Sequence, residues 1–416
     1  MKGIEEKQIE APYELPEGWK WDFAKNLADI YTGNSINEKL KQEKYLNQTE
    51  GLNFIATKDI DFDGAINYEN GVKINDYEKF KTAPKNTPLL CIEGGSAGRK
   101  LGFSEEEVCF GNKLCAFVCR DINPKLLYFY LQSNFFYHCF MKERHGLIGG
   151  VSVNTLKQIP FPLPPTLDEQ QRIVNRIESM FAKLDEAKEK AQNVVDGFET
   201  RKAAILHKAF TGELTAKWRK ENGVSDDSWV EKTIGECLIA ISDKYDPQKD
   251  KIDGVQYIGL ENIEANGGII STGAVSSVKS IKTLFKNNDL LYGKLRPYLN
   301  KHDIVEFDGI CSTDILVYRS KPEYEIKFFN YLFSQNCFIQ YAIENSNGIN
   351  LPRTSEKNIS AYSQKIPTLP EQIEIVRILD IIIEKENKAK QAAGAVLDQI
   401  ALLKKSILAR AFRGEL

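Results

Sequence analysis

Residues 407–416 read ILARAFRGEL, a near copy of ILHKAFTGEL at 205–214, with seven of ten positions identical at an offset of 202. The same offset lays TLDEQQRIVNRI, from Thr166, on TLPEQIEIVRIL, from Thr368, so no insertion separates the two matches in either copy. Two segments of equal length in one register make this a chain written twice, and any fold must be built from two related halves.

Between those matches the apolar positions step by four and three. Ile173, Ile177, Met180, Leu184, Ala187, Ala191, Val194 and Phe198 form one seam, and Ile375, Leu379, Ile382, Ala389, Ala393, Val396, Ile400, Leu403 and Ile407 form the other, interrupted by Glu386. Such spacing marks helices that pair along their length. Asp168 and Pro370 are start signals, and Gly212 and Gly414 close the runs. About 40 residues at 1.5 Å each give a rod of roughly 60 Å. An ordinary long core helix would show similar spacing, but the duplication supplies an equal partner within the chain, so the pairing predicted is intramolecular and antiparallel.

The text before each rod repeats more loosely. NFIATKDIDFDGAI, from Asn53, parallels QYIGLENIEANGGII, from Gln256, and TPLLCIEGGSAGRKLGF, from Thr87, parallels NDLLYGKLRPYLNKHDI, from Asn288. Short β-rich, aromatic stretches punctuated by Gly, Asn and Pro predict a mixed globule, most helical at 124–140 and 325–342. The reading is α+β: two mixed α/β domains separated by two long helices in an antiparallel coiled coil, with a pseudo-twofold internal repeat. Its boundaries are a first globule at 1–165, a central long helix at 166–214, a polar linker at 215–228, a second globule at 229–367 and a final long helix at 368–416.

Composition narrows the function. Lys and Arg number 55 against 58 Asp and Glu, a formal charge of −3, so a nucleic-acid site here must be a local patch. Eight cysteines at irregular spacing, with no CxxC pair, read as free thiols of a reducing cytoplasm. The first residues are polar, and no run of about 18 apolar residues occurs, so neither export nor membrane spanning is expected. None of the four histidines stands at a metal-site spacing, and no metal is expected.

The patches occur at matching places in both copies. Residues 278–301 hold Lys279, Lys282, Lys286, Lys294, Arg296 and Lys301 against Asp289 alone, with Tyr292 and Tyr298 interleaved. The first copy has Lys81, Lys85, Arg99 and Lys100 against Glu93. Such residues neutralise phosphates, although a single charge run is more often a solvated face. A second surface is the Gly- and Asn-rich loop at 146–154 and 345–353, where Ser152, Asn154, Asn347, Asn350 and Arg353 offer donors and acceptors; an ordinary hairpin would look alike.

Enzyme motifs fail. GGSAGRK at Gly94 lacks the spacing and final Ser or Thr of a P-loop. Asp314, Glu325 and Lys327 outline a nuclease triad only loosely, and the first copy has Cys115 near the matching place. No GxSxG, adenosylmethionine loop or paired Cys/His nucleophile is evident. The chain reads as a binder.

These features together resemble the specificity subunits of type I restriction and modification systems. The matching text is LPEGW (15–19), PLPPTLDEQQRIV and IPTLPEQIEIV, KAFTGEL and RAFRGEL, and LLYGKLRPYLNK, spanning nearly the whole chain; the second globule opens with SWVEKTIGECL instead of a full LPxGW. The resemblance implies that each globule is a target recognition domain reading one half of an asymmetric two-part DNA sequence, with the coiled coil setting the gap. It implies double-stranded DNA, two methyltransferase subunits and translocase-nuclease subunits as partners. Adenosylmethionine, ATP and magnesium would belong to those subunits, leaving this chain non-catalytic. A coiled-coil scaffold without nucleic acid, favoured by the near-zero charge, and a fused restriction enzyme are the competing readings.

Overall fold

The computed structural model describes residues 13–144, 149–247, 249–250, 255–273 and 278–416. Residues 145–148, which open the loop at 146–154, and the first twelve residues lie outside the described set. The chain divides into two compact units, Met1–Ala191 with Ala395–Leu416, and Gln192–Gly394.

The first unit holds two four-stranded sheets. One runs Ala28–Thr32, Leu114–Cys119, Pro88–Cys91, Leu101–Phe103 in antiparallel order. The other runs Lys73–Ile74, Leu52–Ile55, Val108–Phe110, Thr82–Ala83 and contains a parallel pair in which Phe54 faces Cys109. Side chains alternate faces along a strand. Leu90, Cys115 and Phe117 therefore enter one core, and Leu89, Cys91, Leu114 and Ala116 enter another with Ile55, Val108 and Phe110. The first core also takes Tyr130, Phe136 and Phe140 from two helices, Pro124–Leu131 and Asn134–Lys142, together with Ile173, Ile177, Leu408 and Phe412.

The second unit repeats this plan. Leu238–Ile241, Ile315–Ser320, Leu290–Gly293 and His302–Ile304 form the antiparallel sheet in the same order, and the second sheet again holds a parallel pair, Gln256–Ile258 with Gly309–Cys311. Only its edge differs: Lys244–Tyr245 joins beside Lys282–Phe285, whereas Lys73–Ile74 joins beside the parallel strand of the first unit. The stretches read as most helical, 124–140 and 325–342, each hold two helices, the second pair being Ile326–Phe333 and Asn336–Glu344. The break at Gln132 and Ser133 is made by Ser133, whose Oγ accepts the Phe136 N–H at 3.2 Å and starts a new helix.

Three long helices form the rods: α1 (Leu167–Asp196), α2 (Phe198–Phe210) and α3 (Leu369–Ala411). The central helix predicted at 166–214 divides at Gly197, but helical bonding continues across it: Gly197 donates its N–H to the Asn193 carbonyl at 3.1 Å and Arg201 to the Gly197 carbonyl at 3.0 Å. Thr166, not Asp168, caps its start, with Oγ1 accepting the Glu169 N–H at 3.2 Å. Gly212 and Gly414 take positive φ values of 79° and 73° just past the helix ends, the left-handed turn that glycine adopts without Cβ strain. Pairing is antiparallel in each unit. Lys404 meets Asp185 at 2.5 Å and lies over Phe181 in the first; Arg201 meets Glu386 at 2.7 Å and Lys390 lies 4.2 Å over Phe198 in the second. Ile173, Ile177, Ala191, Phe198, Ile375, Leu379, Ala393 and Ile400 are buried as the seam requires, while Val396 and Leu403 are exposed.

The predicted polar linker at 215–228 is ordered. It carries a helix, Ala216–Asn222, and buried Arg219 donates from Nη1 to Glu371 Oε1 at 2.7 Å. A linker composition is misleading here because one long cation finds a buried carboxylate.

Candidate nucleic-acid interface

In each unit the basic segment and the Gly/Asn loop are tied to each other and to a third strand end. In the first, Ile92 donates its N–H to the Lys113 carbonyl (3.0 Å), and its own carbonyl accepts the Val151 N–H (3.0 Å). In the second, Lys294 donates to the Asp314 carbonyl (2.8 Å) and accepts from the Thr354 N–H (3.0 Å). Ile92 and Lys294 are again 202 apart. The two surfaces proposed separately from the sequence are thus one three-segment junction, built twice.

The second junction is cationic. Arg353 bridges Leu295, and its guanidinium pairs with Asp314 at 2.6 Å; Arg296 donates its N–H to the Pro352 carbonyl at 2.7 Å and sits at φ 54°. Burial lowers the Lys294 ammonium below the ordinary lysine value; Asp314 opposes this, and the like charges of Arg353 and Lys244 add to it. Burial likewise pushes the Cys311 thiol up to about 12, while Lys244, Lys294 and Lys282 pull it down. Lys244, Lys282 and Lys294 thus lie within electrostatic reach of Cys311, and Lys244 and Arg353 within reach of Lys294, while the Lys282 ammonium itself donates to the Ser280 carbonyl at 3.2 Å and to Ser280 Oγ at 2.6 Å. Lys244 lies 34 residues before the start of the basic run in sequence and comes in by pairing with Thr283 across two short strands. Only that long-range pairing identifies it.

The remaining candidates are placed differently. Lys301 turns inward, Nζ donating to the Leu260 carbonyl at 2.7 Å, and Lys100 does the same to Thr57 at 3.1 Å, so both brace loops. Lys286 stands at the far end of strand Lys282–Phe285, its N–H on Asp289 Oδ2. Lys279, Tyr298 and Asn350 are exposed. In the first unit Arg99 and Lys100 lie 4.9 and 5.1 Å over Phe62, an exposed ring. Lys81 and Lys85 are exposed, and Asn154 is exposed on the short helix Val153–Leu156. Ser152 Oγ is occupied as that helix's cap, accepting the Thr155 N–H at 3.1 Å. Arg144, absent from the sequence reading, donates to the carbonyls of Gly94 (3.2 Å) and Gly149 (3.1 Å) and so joins the two loops.

Asp314, Glu325 and Lys327 do not converge: Asp314 pairs with Arg353, Glu325 caps its helix, and Lys327 faces Asp380 at 3.9 Å. Among the described residues, no group of three or more His, Cys, Asp or Glu could hold a metal ion.

A cleft also recurs where rod meets globule. In the first unit Gln132, Asn134, Tyr137 and Lys405 line about 470 Å³; in the second Ser334, Asn336, Ile339 and Ala203 line the same volume. Each of these four pairs is 202 residues apart.

The family model for the type I restriction modification DNA specificity domain matches residues 16–195 and again 226–393. The chain is 28% identical over 274 residues to the type I restriction enzyme EcoDI specificity subunit of Escherichia coli, a match spanning 61% of each chain. It is 24% identical to the EcoKI specificity subunit of Escherichia coli strain K12, over 97% of this chain and 90% of that one. The fold matches a chain from a type I R-M system structure with a TM-score of 0.72 at 15% identity, covering 97% of this chain and all of that one. It also matches the HsdS subunit of Thermoanaerobacter tengcongensis with a TM-score of 0.63 at 18% identity, covering 98% of this chain and all of that one. Nothing in these comparisons supports the scaffold reading. With the specificity domain matched twice over most of its length, the chain belongs to the type I restriction modification DNA specificity family and is a specificity subunit.

Proposed function

We propose that each unit reads one half of a two-part, asymmetric DNA sequence through its three-segment junction, and that the paired helices set the gap between the halves. The observation that carries this is the junction itself: one backbone frame built twice, with different side chains mounted on it. Identical frames hold two readers in equivalent poses, and different side chains give the halves different sequences. Lys244, Lys282, Lys294, Arg296 and Arg353 are the phosphate and base contacts of the second half; Arg99, Arg144, Lys81, Lys85 and Asn154 serve the first.

As a specificity subunit the chain is non-catalytic. It works within a restriction and modification complex, and the recurrence of one cleft in both units supports docking of two copies of one partner, the methyltransferase subunit. Translocase-nuclease subunits complete the assembly. Adenosylmethionine, ATP and magnesium are bound by those partners. Among the described residues no helix is long and apolar enough to cross a membrane, and a cytoplasmic site of action fits DNA as the target.

The test is duplex binding by the chain assembled with its methyltransferase subunit, measured across salt concentrations. Contact with several phosphates predicts an association constant that falls steeply and log-linearly with salt. A shallow dependence without sequence preference would contradict the reading.

A further inference from the structure

Arg353 is held at its backbone and at its charged end. Its N–H donates to the Asn347 carbonyl and its own carbonyl accepts the Asn347 N–H, both at 2.9 Å, and it also bridges Leu295. Its chain neighbours are tied to that same segment: Pro352 accepts the Arg296 N–H, and Thr354 donates to the Lys294 carbonyl. The side chain is half exposed, with Nη2 standing 2.6 Å from Asp314 Oδ1. Asp314 is fixed in turn, its carbonyl accepting the Lys294 N–H at 2.8 Å and its N–H donating to Ser312 Oγ at 3.2 Å. A long, flexible side chain is thus given one direction before any ligand arrives, which lowers the entropy lost on binding.

This arrangement suits a base edge better than a phosphate. A carboxylate beside the guanidinium offsets its charge and repels a phosphate brought alongside. The O6 and N7 acceptors of guanine carry no net charge, and the planar fork of arginine matches them with two parallel bonds. Phosphate contact needs charge and base readout needs direction; the Asp314 pair gives up the first for the second.

The first unit mounts other side chains on the same frame. At the offset of 202 the counterparts of Lys294 and Arg353 are Ile92 and the buried Val151, and the carbonyl that Asp314 offers Lys294 is offered to Ile92 by Lys113. Neither an arginine nor a carboxylate stands at the two matching places, so the pair belongs to the second unit alone.

We propose that Arg353 is a specificity-determining residue that reads one guanine in the half-site of the second unit, and that Asp314 is its positioning residue. The inference rests on the reading of the chain as a two-part DNA reader and names one base of that reading.

The experiment co-expresses the full chain with its methyltransferase subunit and maps methylated adenines genome-wide for the wild type, Arg353→Ala and Asp314→Asn. The wild-type motif is expected to hold a fixed G·C pair that Arg353→Ala relaxes to any base pair, with every other position of both halves unchanged. Asp314→Asn, which keeps the side chain's shape, should lower the preference for that pair by about fivefold or more. Its assembled complex should bind duplexes altered at that pair at least as tightly as the wild type does, because a negative charge has left the interface. Thermal unfolding of Asp314→Asn near the wild-type midpoint separates lost readout from lost fold. An Arg353→Ala complex that methylates the unchanged motif, at full or uniformly reduced levels, overturns the proposal, as does a wild-type motif with no fixed G·C pair. If Arg353→Ala fails to assemble, Asp314→Asn decides alone, and undiminished discrimination at every position overturns it. A wild-type complex that methylates no two-part motif overturns the reading beneath it as well.

Discussion

Glu371, wholly buried in the first turn of α3, accepts from Arg219 Nη1 at 2.7 Å and from Thr215 Oγ1 at 2.6 Å through one oxygen, and from Trp229 Nε1 at 3.1 Å through the other. Removing Arg219 strands a carboxylate out of water, which costs far more than a surface pair. Arg219→Ala should lower unfolding stability of the second unit by about 3 kcal/mol. Asp226→Ala, which removes only an 89%-exposed partner of the same guanidinium, should change it by less than about 1 kcal/mol. Urea denaturation of the two variants checks the contrast.

His302 is buried between Asn330 Oδ1, 2.7 Å from Nδ1, and Ser334 Oγ, 3.3 Å from Nε2. Burial pushes its pKa down to about 4 from an ordinary 6.5, against the pull of the Asn330 bond. Above 6.5 the imidazole is neutral folded and unfolded. As pH falls from 6.5 toward 4 the unfolded chain takes up a proton that the folded chain refuses, so stability drops, by up to about 1.4 kcal/mol per pH unit. His302→Gln should flatten the stability profile in that window and leave it unchanged above pH 7; an equal slope in both proteins would contradict this burial.

Lys294 and Arg296 belong to the same junction as Arg353 but reach it from a different segment. Changing both to Ala should weaken duplex binding by about tenfold or more and reduce the salt slope by roughly one to two, uniformly across sequences if the contacts are to phosphate. Lys301→Ala should instead act on stability, because its ammonium is spent on the Leu260 carbonyl. Affinity unchanged in the first variant would remove the patch from the interface.

Gln170 and Gln372 show what a repeated motif can and cannot disclose. Both are buried; Gln170 Oε1 accepts the Asn123 N–H at 2.8 Å, and Gln372 Oε1 accepts the Glu325 N–H at 2.9 Å. The EQ pair at each rod start was legible as a signature, but its work, fastening the rod to the start of helix Pro124–Leu131 or Ile326–Phe333, depends on residues 47 apart in sequence. The rods and their ends were readable because heptad spacing and a terminal glycine are local signals. Gly197 was not: a glycine flanked by good helix text gives no sign that a Cβ there would stand 2.5 Å from Arg201 Nη1 and 3.0 Å from the Asn193 carbonyl. The interface was half legible for the same reason. The charge run names Lys282 and Lys294 and the Gly/Asn loop names Arg353, but the run also contains Lys301, and only the fold turns that side chain inward and brings Lys244 in from another strand.

Shortening the paired helices tests the spacing role directly. Deleting seven residues from α1 and seven from the facing stretch of α3 removes about 10 Å of rod, equivalent to roughly three base pairs, and should change the recognised gap while leaving both half-site sequences intact.

The central claim is tested most directly by co-expressing the wild-type chain with its methyltransferase subunit and mapping methylated adenines across the host genome by single-molecule sequencing. The account predicts one motif of two short, unlike halves at a fixed gap, absent when this chain is omitted. Methylation without a two-part motif, or none from a properly assembled complex, would contradict it.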